Sequence, residues 1–433
     1  MRVQDNVGKI SWTVADKVLF IAYGFVALIQ IRVLPPSEVG LYSLLIGLQT
    51  WIFIVSDGAA LQGIIQFGMD KEHRAGVHTI ALATHVLLSL GISSLVALCA
   101  VPLSALFGEP RFADVALWLP VFCLVTMPRT LCVKVLSRDS RMMQVFWTEF
   151  AWVGTMTVMT AWMLLHQGLG TFSDMAAISC AGIGVSSLVS FVLARKLVPF
   201  TLRNLPSLPS YYRFGLVQIG IAGVTNAVRQ LDSLLLQFFF HDLAFLGMYY
   251  SAKTFFRVFE TGLDALFSII YPTAVRLLPQ GKDEEFKAVL SKGISYLFLS
   301  YVAAVIVLEL GGTQILVSLL GGKYVNVAGQ FNVMVLAALF LPFTSLYSVL
   351  LAENRNLRML VFVSIATVCA TAVFAVSGML RQQWLFPMGI VTYNAIIAVA
   401  LYGAVRHRLG LRVTMFLRAV PDVLNYLRHR RPA

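Results

Sequence analysis

Charge is scarce in these 433 residues: 12% are Asp, Glu, Lys or Arg and 58% are hydrophobic, against the roughly 25% charged usage of soluble domains. A water-soluble fold has no way to hide that much apolar surface behind so few charges. Cysteine is nearly missing as well. Cys99, Cys123, Cys132, Cys180 and Cys369 lie scattered in apolar segments with no C-x-x-C pair, which reads as small hydrophobes and leaves no metal site or disulfide framework. There is no G-x-x-x-x-G-K-S/T loop for a nucleotide's phosphates. No long polar loop with clustered carboxylates exists to hold a membrane-embedded polymerase or ligase centre. Enzymatic and ATP-driven classes therefore fall away, and no catalytic residue or cofactor is expected. The first apolar run, Trp12 to Leu34, ends without a small-residue cleavage site, so it is a span and not a leader.

What is present in quantity is hydrophobic runs. Segments of about 20 apolar residues, enough to cross a bilayer, fall near 12–34, 41–69, 77–104, 112–136, 143–165 and 173–195, and again near 212–240, 244–270, 287–310, 327–351, 357–380 and 384–408. The fold class is thus all-α: a polytopic membrane protein of about 12 transmembrane helices. The formal charge of +12 belongs to the connections between spans, so membrane topology explains it better than nucleic acid does. With a cytoplasmic N-terminus, Lys and Arg favour the cytoplasmic side by roughly six to one over an outer side that holds Arg32, Arg111, Lys323 and Arg381. Both termini are then cytoplasmic. In the tail, Val413, Phe416, Leu417, Val420, Leu424 and Leu427 follow helical spacing among arginines. That pattern reads either as an amphipathic helix on anionic lipid or as a solvated basic segment, and Pro421 interrupts it.

The two sets of six spans superpose. Gly40-Leu41-Tyr42 matches Gly247-Met248-Tyr249 at an offset of 207, which also places Gln30 on Gln237 and Asp57 on Asp264. Farther on, Pro128, Val135, Leu136 and Arg141 match Pro342, Val349, Leu350 and Arg355 at an offset of 214, and Asp139 meets Glu353. This divides the chain into a six-helix lobe at 1–196, a cytoplasmic linker at 197–211, a second six-helix lobe at 212–408 and a basic tail at 409–433. Parallel repeats of this kind place a pathway between two lobes that rock against each other.

Polar residues interrupt the spans. Asp16, Lys17, Asp57, Arg129, Glu149, Arg229, Asp232, Lys253, Arg257, Glu260, Asp264 and Glu309 would each cost roughly 2.5–3.5 kcal/mol facing lipid, so those near span centres must meet a wet cavity or one another. Lys253, Arg257, Glu260 and Asp264 stand at i, i+4, i+7 and i+11, on one face of the eighth span. Arg229 and Asp232 share a face of the seventh, extended one turn by Thr225 and Asn226. Two readings stand open. The charges are interhelical ion pairs; or the cations Arg229, Lys253, Arg257 and Lys17, with Asn226, bind an anionic substrate while the carboxylates Asp57, Asp264, Glu260 and Asp232 take up H+ or Na+. Arginine's planar fork suits phosphate, and a carboxylate in a partly dry cavity can exchange protons near neutral pH. Arg129 and Glu149 are expected to pair, and His85 and His166 to be packing or boundary residues.

These residues also carry a likeness. The stretch from Arg32 to Tyr42, RVLPPSEVGLY, resembles the first periplasmic turn of polysaccharide flippases, members of the multidrug/oligosaccharidyl-lipid/polysaccharide exporter superfamily. Gln230 to Leu236, Gly247-Met248-Tyr249, Tyr271-Pro272-Thr273-Ala274 and Gly321-Gly322-Lys323-Tyr324 agree, and the resemblance runs over essentially the whole chain. It implies a V-shaped pair of six-helix bundles in the cytoplasmic membrane, with spans 1, 2, 7 and 8 lining a central cavity that opens alternately to each side. It further implies flipping of a lipid-linked oligosaccharide of the undecaprenyl-pyrophosphate type, coupled to an ion gradient, with polysaccharide polymerase machinery as a partner alongside membrane lipids. A multidrug or lipid exporter of the same superfamily is the alternative. The mixed charges here depart from that family's strongly cationic cavity. The topology is checked by fusing green fluorescent protein to the C-terminus: a cytoplasmic tail yields fluorescent cells, and an export-dependent alkaline phosphatase at the same place stays inactive.

Overall fold

The computed structural model describes residues 4–412 and Met415, apart from Lys71, Gln167 and Asn354; the side chains of 4–11, 13, 14, 16, 17 and 356 also lie outside the described set. The expectation for the basic tail falls almost wholly outside it. Twelve helical rods follow one another among the described residues. They are α1 (Gln4–Val33), α2 (Pro36–Phe67), α3 (Arg74–Leu98), α4 (Phe112–Arg138), α5 (Met142–Leu165) and α6 (Phe172–Ala194), then α7 (Leu208–Phe240), α8 (Leu243–Leu277), α9 (Asp283–Leu320), α10 (Val327–Ala352), α11 (Asn356–Met379) and α12 (Met388–Leu409). Eight of them, α2, α3, α4, α6, α8, α9, α11 and α12, are each long and apolar enough to cross a membrane, and the two halves of α10 together make a ninth. The chain is a multi-pass membrane protein, and the regular structure among the described residues is helical.

Proline sets the breaks that hydrophobicity hides. The expected continuous third span ends at Leu98 and resumes as a short helix, Ala100–Phe107. Pro102 has no N–H to give to the Leu98 carbonyl four residues earlier. The same happens in α10, where residues 336–339 tighten into a 3-10 turn and the axis bends by 42°; Pro342 leaves the Ala338 carbonyl without its helical donor. α9 runs ten residues past its expected end and stops at Gly321, whose φ of 87° only glycine adopts freely.

Contacts group the chain into two compact units, Met1–Tyr250 and Ser251–Ala433. In the first unit α6 packs along α5 and α4, α3 along α4, and α1 along α5. α6 presents Gly182, Ser186, Ser187 and Ser190 inward, small residues that let helices approach where lipid offers no hydrophobic drive. A Cβ on Gly182 would stand 2.6 Å from Met156. α7 lies against α2 through a second small-residue groove: a Cβ on Gly215 would meet the Ala59 oxygen at 2.7 Å, and one on Gly58 the Ile219 nitrogen at 2.8 Å. In the second unit α11 packs on α12, and α9 on α10. There Arg408 bridges Asp283 and Glu353, and Glu353 also pairs with Arg355 at 3.1 Å, joining the ends of α9, α10 and α12.

The repeat matches meet one another in space. A methyl on Gly40 would sit 2.2 Å from the Leu243 oxygen, and one on Gly247 1.8 Å from the Pro36 oxygen. Gly40 and Gly247 are 207 residues apart, and so are Pro36 and Leu243. Each turn therefore makes on the other the contact that it receives, which is the signature of a local two-fold axis. The matched Gln30 and Gln237 behave alike: each donates its side-chain amide, to Thr160 at 2.8 Å and to the Phe107 carbonyl at 3.1 Å. Replacing Gly247 by Val forces the α2 and α8 backbones apart. Because overpacking costs about 1–3 kcal/mol where side chains can yield and a carbonyl cannot yield, we expect a loss at the upper end of that range. The check is the unfolding temperature of purified protein in detergent, with the Gly403→Val variant, which meets nothing within 4 Å, as the control.

Candidate transport sites

The most unusual backbone lies in the middle of α2. Residues 57–61, Asp-Gly-Ala-Ala-Leu, form a π turn, closed by the Gln62 N–H bonding back five residues to the Asp57 carbonyl. Gly58, Ala59 and Ala60 are small enough to take α7 against their backbone, and the Tyr211 hydroxyl of α7 donates to the Ala60 carbonyl. Such a widened turn is rare and shifts the helix face by one residue. At the start of this turn the Lys134 ammonium of α4 reaches Asp57 Oδ1 at 2.9 Å and Oδ2 at 3.2 Å, while Gln62 Nε2, just past the turn, donates to Oδ2 at 2.7 Å. By the positive-inside rule Lys134, near the end of a span, counts among the cytoplasmic flanking charges. The structure instead turns it onto Asp57, with its side chain only 20% exposed.

His85 of α3 stands beside this pair. Its ring is fully buried, meets Phe53 edge-on at 5.5 Å between centroids, and has Nε2 2.9 Å from the Thr130 hydroxyl of α4. Its Nδ1 is buried and has no hydrogen-bond partner among the described residues. Buried polar atoms are nearly always partnered, so such a group asks for an explanation.

On α7, Asp232 is completely buried. One carboxylate oxygen accepts from the Ser233 backbone N–H at 2.7 Å and the other from the Tyr249 hydroxyl at 2.9 Å. Arg229, one turn away, is exposed. Asn226 is half-buried and spends its amide on the Ala222 carbonyl at 2.9 Å. These residues and Asp57 belong to the first unit. The charged stripe of α8 belongs to the second: Lys253 and Glu260 are half-buried, Arg257 and Asp264 exposed. The side chains of Asp16 and Lys17 lie outside the described residues. Glu309 is exposed near the end of α9.

Other intramembrane charges are structural. Arg129 donates through Nη2 to both Glu149 oxygens at 2.5 and 2.6 Å, through Nε to Ser186 at 3.0 Å, and its guanidinium lies 5.1 Å from the centre of the Trp152 ring. The expected pair thus exists, and it ties α4, α5 and α6 into one body. At one end of the first unit, Glu38 receives both arms of Arg111, at 2.6 and 2.8 Å, and the Phe172 N–H at 2.8 Å. At the other end the buried Arg138 donates to His78 Nε2 at 2.8 Å, which leaves His78 Nδ1–H to donate to the Pro199 carbonyl at 3.2 Å. The Arg138 guanidinium also hydrogen-bonds Asp139 at 2.9 Å and keeps that carboxyl below the usual carboxylate range. Among the described residues no group of three or more metal-ligating side chains occurs, and the five cysteines are free thiols.

No family model matches the chain, and no curated protein matches it by sequence. Solved structures do. The lipid II flippase MurJ in an inward closed conformation superposes with a TM-score of 0.77 at 11% identity, over 94% of this chain and 89% of that one. An inward-facing multidrug resistance MATE family transporter of the MOP superfamily gives 0.73 at 15% identity, over 91% and 94%. A MOP superfamily transporter from Pyrococcus furiosus, described as having a binding pocket of reversed polarity, gives 0.60 at 15%, over 93% and 95%. The chain therefore has the fold of these transporters.

The Arg129–Glu149 pair yields a direct test. Removing one partner strands a buried charge, at a cost of about 3–5 kcal/mol, whereas replacing both by apolar residues is often near neutral. Arg129→Met should lower the unfolding temperature steeply, and Arg129→Met with Glu149→Met should recover most of the loss in the same detergent assay.

Proposed function

We propose that this chain is a secondary transporter that flips a lipid-linked oligosaccharide, of the undecaprenyl-pyrophosphate type, from the cytoplasmic to the outer leaflet of the cytoplasmic membrane. The observation that carries the reading is the exposed arginine on each of two consecutive spans, Arg229 and Arg257, within a fold shared with a lipid flippase. A pyrophosphate is a dense anion with several acceptor oxygens, and guanidinium groups bind it through paired hydrogen bonds. The lipid tail remains in the bilayer, so the protein need only shelter the polar head. Arg229, Lys253, Arg257, Lys17 and Asn226 are the groups assigned to that head, which crosses by alternating access. Asp57, Asp232, Glu260 and Asp264 are assigned to the coupling ion, H+ or Na+. Both termini face the cytoplasm, and polysaccharide polymerase machinery consumes the flipped product.

The second reading, a multidrug exporter, is favoured by the MATE likeness. Cationic amphiphiles want carboxylates and aromatics without competing cations, and the arginines disfavour them. The two are separated in a strain that lacks its own surface-polysaccharide flippase. The flippase reading expects the chain to restore surface polysaccharide, and expects Arg257→Ala and Asp264→Ala to cut the recovered polymer at least tenfold with membrane insertion unchanged. A chain that instead lowers dye or drug accumulation and restores no polysaccharide is the multidrug exporter.

A further inference from the structure

We infer that His85 is the proton-accepting group of the first unit: its Nδ1 takes up the proton, and the Asp57–Lys134 pair beside it registers the charge. The hydrogen bonds fix the ring's neutral form. A hydroxyl has one proton, and that of Thr130 is committed to the Met127 carbonyl at 2.9 Å, with the Thr126 carbonyl at 3.4 Å as a second acceptor. The Thr130 oxygen is then an acceptor, and the hydrogen on it comes from His85 Nε2. Nδ1 is left as a bare lone pair in a buried place, with no donor among the described residues. An imidazole in that state is a base held ready.

The charged groups around it are few. α2 packs Phe53 against the ring and carries Asp57 one turn farther on, at the start of the π turn, held by Lys134 and Gln62. From α4 comes Lys134, one turn beyond Thr130 and bound to Asp57; the next cation of α4, Arg129, is held by Glu149 and Ser186. α7 brings the uncharged Tyr212 hydroxyl to Thr84, 3.0 Å away. α3 itself carries no Asp, Glu, Lys or Arg after Arg74.

The step is simple. A hydronium ion from the aqueous side gives its proton to Nδ1, an N–H bond forms, a water molecule leaves, and the ring becomes an imidazolium with both nitrogens protonated. Two cations, imidazolium and Lys134, then compete for the one carboxylate of Asp57, so protonation loosens the Lys134–Asp57 bond and frees the ammonium for another anion. This names the coupling ion left open above. A lone imidazole nitrogen takes a proton, whereas Na+, a hard cation, asks for a cage of oxygens, and the nearest carboxylate is already engaged. The inference uses the transporter reading only for what the proton drives; the titration is independent of it.

The test is nitrogen-15 NMR of imidazole-labelled full-length protein in phosphatidylcholine nanodiscs from pH 4 to 9, with the His85 signals identified by their loss in His85→Gln. The expected spectrum at high pH has Nε2 protonated and Nδ1 bare, and the ring titrates in one step. Asp57→Asn should move the midpoint down and Lys134→Met should move it up, each by about one pH unit, the effect of one near charge. Exchanging choline for sodium at constant ionic strength should leave it in place. A hydrogen on Nδ1 at high pH, no titration in the range, a midpoint that ignores Lys134→Met, or one that follows sodium each overturns the inference. Should Asp57→Asn fail to fold, the wild-type tautomer and the Lys134 variant still decide. A chain that flips no oligosaccharide yet titrates in this way overturns the substrate assignment and leaves the proton site standing.

Discussion

A polar group inside hydrocarbon must bring its partner with it, because no water is there to supply one. That constraint organises the first unit. Arg129 has Glu149, Ser186 and the face of Trp152; Asp232 has Tyr249 and Ser233; Asp57 has Lys134 and Gln62. None of these sets lies within a single helix turn. Satisfying each group therefore fixes which helices are neighbours and in what register, and the small residues of α6 and of the α2–α7 groove let them come close enough. Hydrophobicity puts the chain in the membrane, and the buried polar contacts decide how it packs there.

The same constraint separates rigid parts from responsive ones. A guanidinium held at once by a carboxylate, a hydroxyl and a ring face has nowhere to go, and Arg129, between Glu149, Ser186 and Trp152, is of that kind. Asp57 is different. Its partner is a lysine, a flexible stem with a mobile charge, and it sits on a turn whose helical bonding is already irregular. An irregular turn in a membrane helix survives only where neighbours supply its missing partners. Here α7 does so, with Tyr211 and the close approach of Gly215. The place where the backbone departs from the α-helix is thus the place where three helices and a titratable cluster meet.

Much of this was legible in the residues. The number of rods, their order, the Arg129–Glu149 pair and the repeat equivalence of Gly40 with Gly247 follow from hydrophobic runs, helical spacing and internal matching. What was not legible has a common cause. The breaks in α10 and after Leu98 are driven by single prolines inside windows that average as apolar. The π turn packs against α7, whose Tyr211 is 151 residues from the Ala60 it bonds, and no local pattern encodes it. Lys134 sits close enough to a span's end to look like a flanking charge, and only the packing of α4 on α2 brings it to Asp57. A lone histidine in an apolar run is usually a packing residue; the distinction of His85 lies in what its second nitrogen lacks among the described residues.

The contact between Gly40 and Gly247 has a bearing on how such a chain came to exist. A contact that is identical from both sides is one that two separate copies of the same helical hairpin would make with each other, with no linker needed. An ancestor of half the length, carrying one such glycine, would have paired with its twin through it, and a single substitution there would have struck both partners at once. Joining two such copies into one chain would remove that penalty for every other position and leave it free to diverge. Ile46, Thr50 and Phe53 thus correspond, in repeat register, to Lys253, Arg257 and Glu260. The two glycines could not follow, since each still answers to the other's backbone.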